Sequence, residues 1–434
     1  MTKNGTNFLE KMSLSCETAL RNASFCAQSF GMQKESDIAL QRLIAYNPQC
    51  ITSFLLNSEN LDSIKIISRL IETIISRSDI SIDQWRVLAY CYSQIGDFPN
   101  SFASFARINF ELNDSVLCYV LGTIYQHFLI YNNAKDCFDR VNIFKLNDIT
   151  QMDYLFRYSI VLRQSLIYDK SYELQERLKD KPPLGLNKYD LFYQMAYTVF
   201  LKGDLRVSHN IISHILEGYP QSKHALELEL WVSFYEKKNQ TNYYNLLVII
   251  ERILKNNPND PKIMLIAGYI SYFFHDYTTS FHYFKECLVY YNHSSAFWQS
   301  LGCLYFKNQQ YKDAVIAFQN SLFNNPCSVD NWINIGLSFQ SLNNDIDAMK
   351  CYEKGTQLCD SQELRNIHES IKLKSRSIIP QLRETKEYDL ITLSPEDFAK
   401  EYCSSPPYIT WNAIGIESNS MIPQLSRVGS WFEK

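Results

Sequence analysis

The chain repeats itself at a 34-residue step. Trp298 and Trp332 are one step apart, and Gly302 and Gly336, Tyr305 and Phe339, Ala314 and Ala348, and Phe318 and Tyr352 keep the same interval. In the unit that begins at Ser295, Trp298, Leu301, Gly302 and Tyr305 fall on one stripe of a first helix. Ala314, Phe318 and Ser321 make the matching stripe of a second helix, and Pro326 cannot continue it. Gly302 and Ala314 are small where the two helices must approach, and the large residues fill the space around that contact. One such hairpin cannot bury its own apolar face, whereas a row of hairpins shares a continuous core.

Paired helices of this length with large, small and aromatic residues in this order form the tetratricopeptide (TPR) pattern. Units in the same register begin at Glu17, Ile51, Ile82, Ser115, Met152, Tyr189, Glu227, Pro261, Ser295 and Val329. The expected fold is all-α, a right-handed TPR superhelix (α-solenoid) of about ten repeats. Residues 1–16 are a leader and 17–360 the array. A capping helix over 361–377 carries Leu364, Ile367 and Ile371 toward the last repeat. The segment 378–434 breaks the period with Pro380, Pro395, Pro406, Pro407 and Pro423. Its YITWNAIGI and SRVGSWF stretches are too apolar for a simply solvated tail. It either docks on the array or is a peptide for a partner, and Ser394-Pro395 and Ser405-Pro406 are candidate phosphorylation sites.

Composition narrows the function classes. The net charge of −4 gives no basic footprint for direct nucleic-acid binding. The longest apolar runs fall far short of the roughly 20 residues of a membrane span, and MTKNGTNFLEKMSLSC lacks a signal-peptide core. Twelve cysteines without a C-x-x-C pair are expected to be free thiols rather than a metal or disulfide framework. No His-x-Asp/Glu pair, H-E-x-x-H, G-x-x-x-x-G-K, G-x-G-x-x-G or G-x-S-x-G occurs. The expectation is a protein without catalytic residues, cofactor or metal.

The stretches AFWQSLGCLYFKNQQYKDAVIAF and NWINIGLSFQSLNNDIDAMKCY resemble repeats of the TPR subunit of the Ssn–Tup-type general transcriptional corepressor. They are similar as well to the TPR region of UTX-type histone demethylases. KPPLGLNKYDLFYQMA at 181–196 carries the Pro-Pro linker and aromatic-aromatic-Gln opening of the same family. The chain departs from that family where many of its position-8 glycines are here Ala89, Ser159, Ala196 and Phe234. The resemblance implies a nuclear adaptor. It would meet a WD-repeat partner through its N-terminal repeats and transcription regulators through later ones, reaching DNA only through them. Without the resemblance, the chain reads as cytoplasmic. The rival reading is a structural TPR subunit of another assembly, such as the anaphase-promoting ubiquitin ligase or a ciliary transport complex.

Partner contacts in a TPR array are expected on the first helices. Candidate groove residues are Arg86, Tyr90, Tyr119 and Gln126 upstream, then Leu265, Tyr269, Tyr272, Gln299, Phe306, Ile333 and Leu337. The downstream set is apolar and aromatic and lacks the Lys/Asn/Arg clamp for a terminal carboxylate, so it suits a helical or extended apolar ligand. The same residues serve equally as core between neighbouring repeats.

Overall fold

The computed structural model describes residues 82–108, 115–236, 240–359, 361–372 and 380–407, with the single positions 19, 71, 75 and 80. The leader, the expected units from Glu17 and Ile51, and residues 408–434 lie outside the described residues. Among the described residues every regular element is helical. The helices pair as hairpins: α1 (Ile82–Gln94) with α2 (Phe98–Phe105), α3 (Ser115–His127) with α4 (Tyr131–Asp139), α5 (Asp148–Gln164) with α6 (Tyr168–Arg177), and α7 (Lys188–Lys202) with α8 (Leu205–Gly218). Then follow α9 (Lys223–Glu236) with α10 (Gln240–Asn256), α11 (Pro261–Phe273) with α12 (Tyr277–Tyr291), α13 (Ser295–Lys307) with α14 (Tyr311–Asn324), and α15 (Val329–Ser341) with α16 (Asp345–Leu358). The capping helix is α17 (Gln362–Lys372), and two short helices follow, α18 (Glu387–Leu390) and α19 (Ser394–Cys403). The chain is an all-α solenoid of TPR-type hairpins. The described residues form two compact units, one of those up to Ile211 together with 397–407, the other within Ile212–Glu396.

The turn between helices is the same in seven of the hairpins. The fifteenth residue of each unit is left-handed: Gly96, Leu129, Leu166, Gly203, His275, Gln309 and Asn343, with φ between 61° and 93°. That reversal lets the next N–H reach back to the carbonyl five residues upstream, as from Asp97 to Tyr92 (2.9 Å) and from Gln310 to Tyr305 (2.8 Å), closing the first helix in a Schellman turn. The same residue then caps the second helix where its side chain allows. Asp97, Asp276 and Asn344 accept from the backbone N–H three residues on, at 3.2, 3.1 and 3.3 Å.

The small residue at position 8 is a steric requirement. A Cβ on Gly302 would sit 2.5 Å from the Phe318 ring, and one on Gly336 would sit 2.7 Å from Tyr352. Gly268 and Gly122 face Phe284 and Phe138 in the same way. Four hairpins add a polar tie twelve residues apart. Ser101, Ser171, Ser208 and Ser280 each donate a hydroxyl to the position-8 carbonyl of Ala89, Ser159, Ala196 and Gly268, at 2.6–2.9 Å. A helical carbonyl has a second lone pair, so this bond costs the first helix nothing. Trp298 and Trp332 turn their indole N–H outward and donate to the carbonyls of Asn292 (2.7 Å) and Pro326 (3.4 Å) in the loops before them.

The register of one unit is corrected. Position counting from Glu227 put bulky Phe234 at the small position. The first helix begins at Lys223 instead, which places Leu230 at position 8 and Asn242 at position 20. The long step therefore falls after this hairpin rather than before it. Phe234 is buried, with its ring 5.0 Å from Phe273 and 6.3 Å from Tyr269 in the next hairpin. Neighbouring hairpins bury one another elsewhere too. The Tyr154 hydroxyl donates to the Phe138 carbonyl at 3.0 Å, and Phe297 packs on Phe284 and Tyr291. At the end of the array, Leu364 and Ile367 of α17 close over Ile333, Ala348 and Tyr352.

Candidate peptide-binding faces

The hairpins present their first helices to residues 380–407, and the contacts fall differently in each unit. In the unit Ile212–Glu396, residues 380–386 carry no helix and lie against α11, α13 and α15. Asn334 of α15 grips one residue of this strap by its backbone. The Arg383 N–H donates to Asn334 Oδ1 at 2.8 Å, and Asn334 Nδ2 donates to the Arg383 carbonyl at 2.9 Å. Gln299 Nε2 donates to that carbonyl from α13 at 3.1 Å. A carboxamide offers one donor and one acceptor side by side, which matches the two groups of an extended residue.

Side-chain contacts follow in order. The Arg383 guanidinium pairs with Glu363 of α17 at 2.6 Å. Glu384 accepts from the Tyr272 hydroxyl at 3.0 Å and from Lys307 Nζ at 2.9 Å. Glu387 accepts from two phenols, Tyr269 at 3.1 Å and Tyr235. Burial, and then these carboxylates, push the Tyr235 and Tyr269 hydroxyls well above the ordinary phenol range, so both act as neutral donors. The bond to Glu384, and the charge of that carboxylate, hold the Lys307 ammonium firmly protonated. Farther on, Ser394 meets Glu227 of α9 and Lys262 of α11, whose Nζ donates to the serine oxygen at 3.1 Å. A cleft of about 440 Å³ opens beside the strap between Tyr272, Phe273, Tyr277, Lys307 and Thr385.

In the other unit, residues 397–407 lie against α1 and α5. Asp153 and Arg157, one turn apart on α5, are fully buried and paired at 2.8 Å. Asp153 accepts from the hydroxyls of Tyr119 and Tyr402. Arg157 donates to the Ser405 carbonyl and hydroxyl, both at 3.0 Å, and to the Pro406 carbonyl at 3.2 Å, with its Cζ 5.0 Å from the Tyr402 ring centre. Burial disfavours this cation, but Asp153 together with Tyr119, Tyr402 and Cys403 outweighs it, and the Arg157 pKa stays raised. Gln94 donates to the Pro407 carbonyl at 2.9 Å. Cys403, beside this cluster, has its thiol pushed up to about 12 by burial.

The sequence-chosen residues divide between contact and core. Tyr269, Tyr272 and Gln299 touch the strap directly. Phe306 packs partly buried against the core cluster that holds Cys303 and Phe318, with its ring 5.2 Å from that of Tyr311. Leu265, Ile333 and Leu337 are buried apolar core. Tyr90 is buried edge-on to Phe105, with Arg86 6.0 Å from its ring. Tyr119 is bound to Asp153, and Gln126 donates to the Arg157 carbonyl at 3.2 Å. The residues that the choice missed are polar: Asp153, Arg157, Glu227 and Asn334. Their signal was a charged or amide side chain set between large apolar neighbours on a first helix. Among the described residues no three His, Cys, Asp or Glu side chains converge as a metal site requires.

No protein-family model matches the chain, and no curated protein matches it. Solved structures that it is similar to include a tetratricopeptide repeat protein from Parabacteroides merdae, 11% identical with a TM-score of 0.44, covering 60% of this chain and 99% of that one. The APC/C hetero-tetramer Cut9–Hcn1 is 12% identical with a TM-score of 0.35, covering 93% and 98%. YrrB, described as a TPR protein with an unusual peptide-binding site, is 13% identical with a TM-score of 0.37, covering 45% and 96%. Likenesses of this size carry no argument about function, and the repeat reading rests on the chain's own periodic geometry.

Proposed function

We propose that this protein is a non-catalytic scaffold whose first-helix faces hold extended segments of other proteins. The observation that carries this reading is the two-point grip of Asn334 on the backbone of Arg383. A face built only as core has no use for a carboxamide aimed at a peptide plane, whereas strand-like recognition relies on main-chain hydrogen bonds for affinity. The context we infer is a nuclear corepressor-type complex with a WD-repeat partner, supported by the resemblance of residues 297–352 and 181–196. Affinity purification of the full chain followed by identification of its partners tests both levels. A WD-repeat protein with transcription regulators supports the corepressor context. Subunits of a ubiquitin ligase or a ciliary transport complex overturn that context and leave the scaffold reading standing. Purification without any partner overturns the scaffold reading.

A further inference from the structure

We infer that the α9–α15 face is a binding site for an extended acidic segment of a partner protein, of the pattern Arg-Glu-x-x-Glu, and that residues 383–387 of this chain are its resident mimic. The inference rests on the scaffold reading and adds the chemistry of the ligand.

Four successive first helices contribute a row of donors. Asn334 holds the peptide plane, Lys307 and Tyr272 converge on one carboxylate, and Tyr269 and Tyr235 converge on a second, three residues farther on. Phenols and an ammonium offer a carboxylate what it lacks, since an ionised carboxylate only accepts. Bonds to charged groups are also stronger than neutral ones. Two carboxylates at that interval are therefore read by geometry, and amides in their place lose the charge assistance. Glu363 of α17 faces the Arg383 guanidinium and accounts for the cation that leads the pattern.

The resident segment is displaceable by its own construction. Glu384 and Lys307 keep 45% and 37% of their side-chain surface in solvent, and exposed pairs of this kind hold weakly. The cleft of about 440 Å³ beside Glu384 and Thr385 gives an incoming chain room to engage before the strap has left. A tethered segment competes through its high effective concentration rather than through tight contacts. Loosening the tether contacts exposes the site.

The test uses the full chain carrying Glu384→Lys and Glu387→Lys, which turns the resident segment against Lys307. The probe is a fluorescein-labelled synthetic peptide, PQLRETKEYDLITLSPE, the sequence of residues 380–396. A second peptide carries Gln at the two glutamates of the pattern. The first peptide is expected to bind the variant about tenfold more tightly than the Gln peptide, and Asn334→Ala on that background weakens both. Equal binding of the two peptides, lost with Asn334→Ala, overturns the acidic pattern and leaves the scaffold reading intact. Binding of neither peptide, or binding indifferent to Asn334, overturns both. Hydrogen exchange on the wild-type chain is the second measurement, independent of the variant's folding. Excess peptide should speed exchange of the Arg383 amide while α15 stays protected, and unchanged exchange across 380–396 overturns displacement.

Discussion

Ser394 holds Glu227 from two atoms. Its backbone N–H donates to one carboxylate oxygen at 3.1 Å and its hydroxyl donates to the other, while Lys262 stands 3.3 Å from the same group. Burial nevertheless lifts the Glu227 carboxyl above its ordinary value of 4.5, with Lys262 and Ser394 pulling the other way. With a raised folded-state value, the folded protein keeps a proton that the unfolded chain has already released. This contribution to stability is therefore full below about pH 4.5 and is lost as pH rises through the folded value. Urea unfolding from acidic to neutral pH should show that loss in the wild type and not in Glu227→Gln. Identical pH slopes for the two would refute it.

Asn334→Ala removes two bonds to Arg383 while leaving the array's apolar core untouched. Each bond contributes about 1 kcal/mol. Native-state exchange of the Arg383 amide should accelerate by about tenfold or more, with little change in the global unfolding midpoint. Unchanged exchange at that amide would show the strap held by its side chains alone.

Arg157→Ala strands the Asp153 carboxylate in a dry interior and should cost about 3–5 kcal/mol. Tyr402→Phe removes one hydroxyl from a carboxylate that keeps Tyr119 and Arg157, and should cost about 1–2 kcal/mol. Thermal unfolding of the two variants gives the ranking, and equal losses would mean that the cluster does not behave as a buried ion pair.

Leu166 and Gly203 occupy the same turn position with φ of 62° and 93°. A Cβ on Gly203 meets nothing within 4 Å, so Gly203→Ala reports the backbone alone and should cost about 1 kcal/mol. Leu166, 73% exposed, makes the converse test, because asparagine tolerates the left-handed region. Leu166→Asn should stabilise by up to about 1 kcal/mol. Denaturant midpoints read both changes.

Gly302→Ala sets a methyl against the buried Phe318 ring and should cost about 1–3 kcal/mol. Shortening the ring in Gly302→Ala/Phe318→Leu should recover part of the loss. Additive losses in that double-mutant cycle would show that the two positions do not press on one another.

The hairpins were legible because their contacts recur within one unit. Gly302 against Phe318 is a local demand, and the same pair returns 34 residues later at Gly336 and Tyr352. Register failed at Lys223 because this hairpin has Leu230 and Asn242 where the others place Gly, Ala or Ser, so no small residue marks the crossing. The strap contacts were hidden for a different reason. Asn334 and Arg383, or Glu227 and Ser394, stand 49 and 167 positions apart in the sequence and are brought together by the fold. No period links them. Asp153 and Arg157 were within reach, since opposite charges one turn apart around Tyr154, Leu155 and Phe156 must be satisfied from somewhere.

The backbone grip is indifferent to the side chain that its residue carries and refuses only proline, which lacks the N–H, whereas the preference for arginine there comes from the half-exposed Glu363 and is a weak one. Chains with another residue at that place can still lie in the same cradle, losing only the Glu363 pair. An inserted or deleted residue beyond it is a different matter, because it carries both glutamates past the hydroxyls that wait for them. The face thus tolerates spelling changes where it is anchored and polices spacing everywhere downstream.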